Sequence, residues 1–222
     1  MNIRNDEHVC LIGTTGSGKS ELSHYLLEGS VRGIILDPKR EIVWPGWSPS
    51  WHIPLLRSRF NIIVKPKRTE DRRMAMIVLE ALRRKNIRIF VDEMASIDEY
   101  FPETLQALGE VARVGRSRRV TLWSAFQRPR FVPKIFMTEA RVFIAFMLTS
   151  ADDRHHVAGF IGDIAEEPIP IYQFWYFRPG MTKPQLLHLD LKTRTIQAMK
   201  EPAPEVDEWS TLPLMRKEEV EV

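Results

Sequence analysis

A glycine-rich segment near the start of the chain has the residue types and spacing that bind phosphate. Residues 13–20 read Gly-Thr-Thr-Gly-Ser-Gly-Lys-Ser and satisfy the pattern G-x-x-x-x-G-K-S/T. Glycines let the backbone wrap around a phosphate with its N–H groups pointing inward, and the positive end of a following helix adds to the attraction. We therefore predict a site for a nucleoside triphosphate, formed by Gly13, Thr14, Thr15, Gly16, Ser17, Gly18, Lys19 and Ser20. Lys19 is expected to contact the β- and γ-phosphates, and Ser20 to bind Mg²⁺.

An acidic pair later in the chain could supply the chemistry of hydrolysis. Asp92 and Glu93 directly follow the largely apolar run 87–91, which is the form of a Walker B segment. We expect Asp92 to bind Mg²⁺ together with Ser20, and Glu93 to polarise a water molecule for attack on the γ-phosphorus. A glutamate directly after the aspartate favours hydrolysis over a small-molecule kinase, which has to exclude water. The chain has no Asn-Lys-x-Asp motif for guanine, so ATP is the expected nucleotide.

The order of apolar runs indicates how these residues are brought together. The run 9–12 precedes the phosphate loop, and helical spacing follows it; strands and helices continue to alternate through residue 148. Such alternation predicts an α/β fold, with a mostly parallel sheet flanked by helices. Asp37, Asp92 and Gln127 each follow an apolar run. Because ligands bind at the carboxyl ends of strands in such sheets, we expect these residues to share one site.

The last fifth of the chain differs from the alternating part. Two apolar segments, 171–177 and 185–189, are separated by Arg-Pro-Gly-Met, which predicts a C-terminal antiparallel hairpin. Residues 201–222 are rich in Pro and Glu, with seven acidic side chains against two basic ones. We therefore divide the chain into a P-loop ATPase domain, residues 1–200, and an acidic tail, residues 201–222.

Composition excludes some classes of protein and favours others. The 222 residues are 44% hydrophobic and 27% charged, as in a globular protein, and no window resembles a membrane span or a signal peptide. The single cysteine excludes an internal disulfide, which fits a reducing cytoplasm. Basic side chains cluster within residues 57–73 and 113–130. Such clusters fit a polyanionic partner, although they are also common on solvated surfaces.

Residues 110–129 resemble the FtsK–HerA superfamily of DNA-pumping ATPases. This stretch contains Ala-Arg-Val-Gly-Arg at a helix end, an apolar strand, and then Gln-Arg-Pro. The run Asp37-Pro38-Lys39 also resembles the family, and the motifs occur in the family's order between residues 8 and 150. The resemblance implies a RecA/FtsK-like P-loop NTPase fold. It also implies that Gln127 senses the γ-phosphate and that Arg113, or else Arg116, is an arginine finger for a neighbouring subunit.

We expect no membrane segment, DNA-reading module or N-terminal barrel of the kind that larger family members carry. In its small size the chain resembles the genome-packaging ATPases of icosahedral viruses with an internal membrane. That resemblance implies an ATP-driven translocase of double-stranded DNA, which acts without sequence preference as a homo-oligomeric, hexameric ring. It also implies capsid or portal-vertex proteins as partners, and a place in the host cytoplasm or at the packaging vertex of the virion.

Two alternatives stay open from the sequence. The first is an export or assembly ATPase of a filamentous phage, which acts on single-stranded DNA. The second is a P-loop kinase or nucleotide switch without translocation, although the acidic pair and the Gln-Arg-Pro motif count against it. Adjacent His155 and His156 have no further ligands at metal-binding spacing. Apart from Mg²⁺ with the nucleotide, we therefore expect no metal.

Overall fold

The computed structural model describes residues 1, 3–30, 32–54 and 59–199. Within these residues the strands are β1 Val9–Ile12, β2 Arg32–Leu36, β3 Ser48–Pro49, β4 Phe60–Val64, β5 Ile87–Val91, β6 Val120–Phe126, β7 Val142–Phe146, β8 Gln173–Phe177, β9 Gln185–Asp190 and β10 Thr195–Ala198. The α-helices are α1 Lys19–Leu27, α2 Asp71–Arg84, α3 Met94–Tyr100, α4 Pro102–Val114, α5 Ile135–Thr138 and α6 Ala151–Ile161. Arg57, which belongs to the first basic cluster, and the acidic tail lie outside the described residues.

All of these strands form one sheet, in the order β10-β9-β8-β7-β1-β6-β5-β2-β4-β3. The strands from β3 to β7 in this order pair in parallel, and β8, β9 and β10 continue the sheet antiparallel from β7. The predicted α/β class and the C-terminal antiparallel hairpin are therefore confirmed. Because β6 lies between β1 and β5, the carboxyl ends of these three strands are neighbours at one edge of the sheet.

The central strand β1 is buried on both faces, as its apolar sequence requires. Cys10 and Ile12 pack with helices α2, α3, α4 and α6 on one face, and Val9 and Leu11 pack with α1 on the other. All four side chains are at most 1% exposed. Full burial of one such aliphatic side chain contributes about 1.5–3 kcal/mol to stability, so this strand is a rigid base for the loop that follows it.

Helix α2 shows how the helices are fixed on the sheet. Its apolar residues recur at helical spacing and are buried, as in Met74, Val78 and Ala81. At its first residue, the Asp71 carboxylate accepts hydrogen bonds from the backbone N–H of Thr104 (2.9 Å) and from its hydroxyl (2.7 Å). This contact caps the start of α4, since the first N–H groups of a helix have no partner within it. The contact thus fixes the start of α4 relative to the start of α2.

The structure adds elements that the sequence did not predict. Helix α3 begins one residue after Glu93, and strand β10 extends the C-terminal hairpin. Both are short, and their sequences carry no strong periodicity. In the described part of the chain, no helix has the length and hydropathy needed to cross a lipid bilayer.

Candidate nucleotide-binding site

The phosphate loop, residues 13–20, joins β1 to α1 and is held by both neighbours of β1. The backbone N–H of Gly13 donates to the carbonyl of Phe126 at the end of β6, at 3.0 Å. The N–H of Thr14 donates to the carbonyl of Met147, just beyond β7, also at 3.0 Å. The start of the loop is therefore fixed by the sheet before any ligand binds.

Glycine is required at two positions of this loop. Gly13 has φ 154°, and a Cβ there would lie 2.7 Å from both the Phe146 Cβ and the Ser17 Oγ. Gly18, which precedes α1, has φ 109°, and a Cβ there would lie 3.0 Å from a ring carbon of Tyr172. Any other residue would be strained at these positions because L side chains rarely adopt such φ angles.

Several amides of the loop are free to bind a ligand. The backbone N–H groups of Thr15, Gly16 and Gly18 have no acceptor within the described parts of the chain. They lie directly before the N-terminus of α1, where the helix dipole is positive. Unpaired amides at a helix N-terminus form an anion-binding site, so the local geometry agrees with the predicted phosphate cradle.

The ammonium group of Lys19 is held inside this loop by hydrogen bonds to the loop backbone. Its side chain is buried, and Nζ donates to the carbonyls of Gly13 (2.6 Å) and Thr14 (2.8 Å). Burial lowers the pKa of Lys19 to about 8, while the nearby carboxylates of Glu93 and Asp92 act in the opposite direction. A triphosphate would stabilise the protonated amine, because it supplies negative charge where water is largely excluded.

The acidic pair faces the same site from the end of β5. Burial raises the pKa of Asp92 to about 6; the Asp37 carboxylate adds to the rise, and Lys39 opposes it. Glu93 is only 4% exposed, and one of its oxygens accepts a hydrogen bond from the backbone N–H of Ala95 at 3.4 Å. Its other oxygen lies 3.4 Å from the Lys39 Nζ. Lys39 is thus a second cation of the site, for which the sequence suggested no role.

Asp37 follows β2, as predicted, but its carboxylate accepts hydrogen bonds from the backbone of the loop that comes after it. It is fully buried and accepts hydrogen bonds from the N–H groups of Glu41 (3.2 Å) and Ile42 (2.8 Å). The Lys65 Nζ lies 3.7 Å from the same carboxylate. Asp37 therefore shapes the loop that carries Lys39, and it affects the site mainly through its charge.

Gln127 directly follows β6 and contacts the phosphate loop. The Thr15 hydroxyl donates to the Gln127 Oε1 at 3.1 Å. The next residue, Arg128, forms an ion pair with the buried Asp153 of α6 at 2.8 Å. Gln127 therefore lies between a contact with the phosphate loop, through Thr15, and the residue that is paired with α6.

The donors available for a metal fit Mg²⁺. Ser20 is exposed in the first turn of α1, and Asp92 offers a carboxylate. Within the described residues, no group of three or more His, Cys, Asp or Glu side chains could hold a metal ion by itself. Mg²⁺ is typically held by one or two protein oxygens together with substrate phosphates and water. Ser20 and Asp92 are the residues that would hold it here.

Arg113 and Arg116 lie at the opposite edge of the sheet. Arg113 is in the last turn of α4, with its exposed side chain 3.9 Å from Glu110. Arg116 follows in the turn before β6, where its charge acts on His8, the residue that precedes β1. The fold brings Lys19, the acidic pair and Gln127 together, but it separates both arginines from the site of their own chain.

Tyr172 is a site residue that sequence reasoning missed. Its backbone N–H donates to the carbonyl of Ser17 at 3.2 Å, and its ring lies against Gly18. Its φ of 66° is unusual for a residue with a side chain. Strained backbone of this kind persists where surrounding contacts enforce it. No motif points to Tyr172, because 154 residues separate it from the glycine that it covers.

Comparison with known proteins gives one family match, over the N-terminal part of the chain. Residues 3–100 match the family model described as the central domain of helicase HerA. No curated protein sequence is significantly similar to the chain. Over these residues the chain is therefore similar to HerA-type ATPases, and its loop has the geometry of a phosphate-binding site.

Solved structures share the fold of this chain. The genome-packaging NTPase B204 of Sulfolobus turreted icosahedral virus 2, in complex with ATP-γ-S, aligns with a TM-score of 0.62 and 18% identity, over 90% of this chain and 100% of B204. The cytoplasmic domain of the Thermomonospora curvata type VII secretion ATPase EccC aligns with a TM-score of 0.62 and 12% identity, over 91% of this chain and 25% of EccC. The pCW3 conjugation coupling protein TcpA gives 0.53 and 15%, over 85% and 62% of the two chains.

Proposed function

We propose that this chain is an ATP-driven translocase of double-stranded DNA that packages a viral genome as a homo-oligomeric ring. The observation that carries the proposal is the alignment with a viral genome-packaging NTPase over that protein's whole length. EccC and TcpA align over smaller shares of their own chains. The alignment over all of the packaging NTPase supports packaging more directly than it supports the other transport systems with this fold.

Hydrolysis follows from the arrangement of the site. The free amides of the loop and Lys19 bind the β- and γ-phosphates. Glu93 accepts a proton from a water molecule, whose oxygen then bonds to the γ-phosphorus while the bond from that phosphorus to the β,γ-bridging oxygen breaks. ADP takes up the electron pair of the broken bond. Ser20 and Asp92 would hold Mg²⁺, which would supply positive charge that stabilises the phosphates.

Coupling of hydrolysis to movement would begin at Gln127. Its hydrogen bond to Thr15 makes its position depend on the conformation of the phosphate loop. The adjacent Arg128 is tied to Asp153, so a shift of Gln127 reaches α6 through one ion pair. Gln127 thus acts as the sensor of the γ-phosphate.

A neighbouring subunit would complete the site. The resemblance to FtsK–HerA ATPases assigns the arginine finger to Arg113, with Arg116 as the second choice. Both lie away from the loop of their own chain, as a finger that serves another subunit must. A guanidinium stabilises the transferred phosphoryl group through paired hydrogen bonds. Hydrolysis would then require assembly, for which we propose a hexameric ring.

Partners and location follow from the same proposal. Contact with the phosphates of duplex DNA gives binding without sequence preference, which weakens with salt. The ring would act in the host cytoplasm or at the packaging vertex of the virion, against capsid or portal-vertex proteins. The acidic tail, residues 201–222, is a candidate for that docking because its net charge of −5 differs from that of the basic domain.

Steady-state ATP hydrolysis with and without DNA tests the proposal. The rate is measured with 30-base-pair duplex DNA and with single-stranded DNA of the same length, at two salt concentrations and several protein concentrations. Stimulation by duplex DNA that falls with salt and rises cooperatively with protein concentration supports a ring translocase. A preference for single strands supports the export motor. Turnover that no DNA changes contradicts translocation and favours a nucleotide switch.

A further inference from the structure

A cavity of about 560 Å³ lies at the edge of the sheet opposite the nucleotide site. It is formed where β2, β5 and β6 begin, so its floor is the amino end of the parallel sheet. Its polar lining includes Arg32, Arg88, Arg119, Asn5, Asn86 and Ser30. None of these residues takes part in the proposed ATP chemistry.

The central residue of this cavity is Arg88, whose hydrogen-bond partners within the described part of the chain are neutral. Its two terminal nitrogens donate to the Ser30 hydroxyl (2.9 Å) and to the Asn5 side-chain oxygen (2.8 Å). Its guanidinium lies over the Trp123 ring, 4.9 Å from the centroid. Its Nε is buried and has no acceptor within the described residues. A partly buried charge without a counter-ion is costly, so this arrangement leaves an anion to be supplied from outside.

Two further arginines of the cavity also lack a counter-ion within the described residues. The Nε of Arg32 is also buried without an acceptor in the described structure, and its guanidinium lies over the Phe60 ring. Arg119 lines the cavity from an exposed turn with φ 56°. Among the residues that the structure describes, no carboxylate lies within 4.0 Å of the guanidinium of any of these three arginines.

The carboxylate of Asp6 also lines the cavity, but it is used elsewhere. It forms an ion pair with Arg4 at 3.4 Å. The cavity therefore keeps an excess of positive charge in a concave, partly desolvated site. Planar guanidinium groups match the geometry of phosphate oxygens, and the amide groups of Asn5 and Asn86 offer further donors.

We propose that this cavity is a second anion site, which binds a phosphate group through Arg88, Arg32 and Arg119. Because it lies at the other edge of the sheet, it can be filled while ATP occupies the phosphate loop. The phosphate can come from a nucleic-acid backbone or from a free phosphate compound, and the chemistry of recognition is the same for both. The proposal does not depend on translocation, since it rests on the uncompensated charge of this cavity alone.

The test uses full-length protein saturated with ATP-γ-S, which keeps the phosphate loop filled. Arg119→Gln removes one exposed guanidinium of the cavity, and Arg88→Gln removes the central one. The matched control is Arg83→Gln, an exposed arginine of α2 outside the cavity. Two probes are used: inorganic phosphate, followed by the change in Tm against potassium chloride of equal ionic strength, and a fluorescein-labelled 30-base-pair duplex, followed by anisotropy.

Inorganic phosphate is expected to raise the Tm of the wild type and of Arg83→Gln, and to have less effect on both cavity variants. If the duplex is the source of the phosphate, each cavity variant also weakens its binding, and the slope of log K against log salt becomes shallower by about 1. A loss of the phosphate response with unchanged duplex binding assigns the site to a free phosphate compound. Equal responses of wild type, control and Arg119→Gln to both probes would overturn the proposal, even if Arg88→Gln failed to fold.

Discussion

Replacement of Glu93 by glutamine should allow ATP to bind but not to be hydrolysed. The side chain is buried, and its two oxygens lie 3.4 Å from the Ala95 N–H and 3.4 Å from the Lys39 Nζ. Glutamine has the same size and keeps an acceptor for the Ala95 N–H. It cannot take a proton from water at neutral pH, so the substitution removes the proposed base together with the negative charge that faces Lys39.

The size of the effect follows from that difference. A general base contributes about 10²–10⁴-fold to a rate. At 1.36 kcal/mol per tenfold, the barrier to hydrolysis should rise by about 3–5 kcal/mol. Stability should change by only about 1 kcal/mol, because loss of the ion pair with Lys39 is offset by the smaller desolvation cost of a neutral amide. The kinetic effect should therefore greatly exceed the effect on folding.

Single-turnover hydrolysis of ATP, together with the Kd for ATP-γ-S, separates these effects. The control is Asp92→Asn, which removes the proposed Mg²⁺ ligand and should weaken nucleotide binding as well as turnover. Glu93→Gln should leave the Kd within about threefold of the wild type, as expected for a residue that acts only in the reaction. If Glu93→Gln hydrolysed ATP within about tenfold of the wild-type rate, Glu93 would not be the base.

Three further predictions concern other parts of the molecule. Lys19→Ala should abolish turnover, because the phosphates lose their main charge partner; near-normal hydrolysis in an ATPase assay would refute the site. Arg113→Ala should keep ATP binding but lose hydrolysis, and mixing with Lys19→Ala subunits should restore part of it; absence of complementation would exclude a trans role. Burial, assisted by Arg116, lowers the pKa of His8 to about 4. At this site the unfolded chain therefore binds more protons than the native one between pH 6.5 and 4, and the contribution of His8 to stability should fall by about 3 kcal/mol as the pH falls across that range. Because the raised pKa of Asp92 acts in the opposite direction, the quantity to measure is the difference in urea-unfolding free energy between the wild type and His8→Asn, which should decrease by that amount.

Much of the nucleotide site could be predicted from the sequence because its residues follow apolar strands. Gly13 follows β1, Asp92 follows β5 and Gln127 follows β6. Parallel strands place their carboxyl ends at one edge of the sheet, so these residues become neighbours if their strands are adjacent. In the structure β6 lies between β1 and β5, so the three strands are adjacent. The Thr15–Gln127 hydrogen bond is its direct result.

The remaining contacts depend on side-chain geometry that no local pattern encodes. Lys39 pairs with Glu93 across 54 residues, and Arg88 reaches Asn5 across 83. Asp37 was expected in the site from its place after a strand, yet nearby amides take up its carboxylate. The direction in which a charged side chain turns depends on which backbone groups lack partners, and those are known only from the folded chain.

The phosphate loop contains hydrogen-bonded and unbonded backbone amides, and these two groups should differ in their rate of hydrogen exchange. The N–H groups of Gly13 and Thr14 are bonded to neighbouring strands, so their deuterium uptake should be slow in the free protein. Those of Thr15, Gly16 and Gly18 have no such partner and should exchange rapidly until a triphosphate covers them. Five positions within residues 13–18 would thus record, in one time course, both the rigidity of the sheet and the occupancy of the site. The difference between them would report nucleotide binding even in variants that no longer turn over.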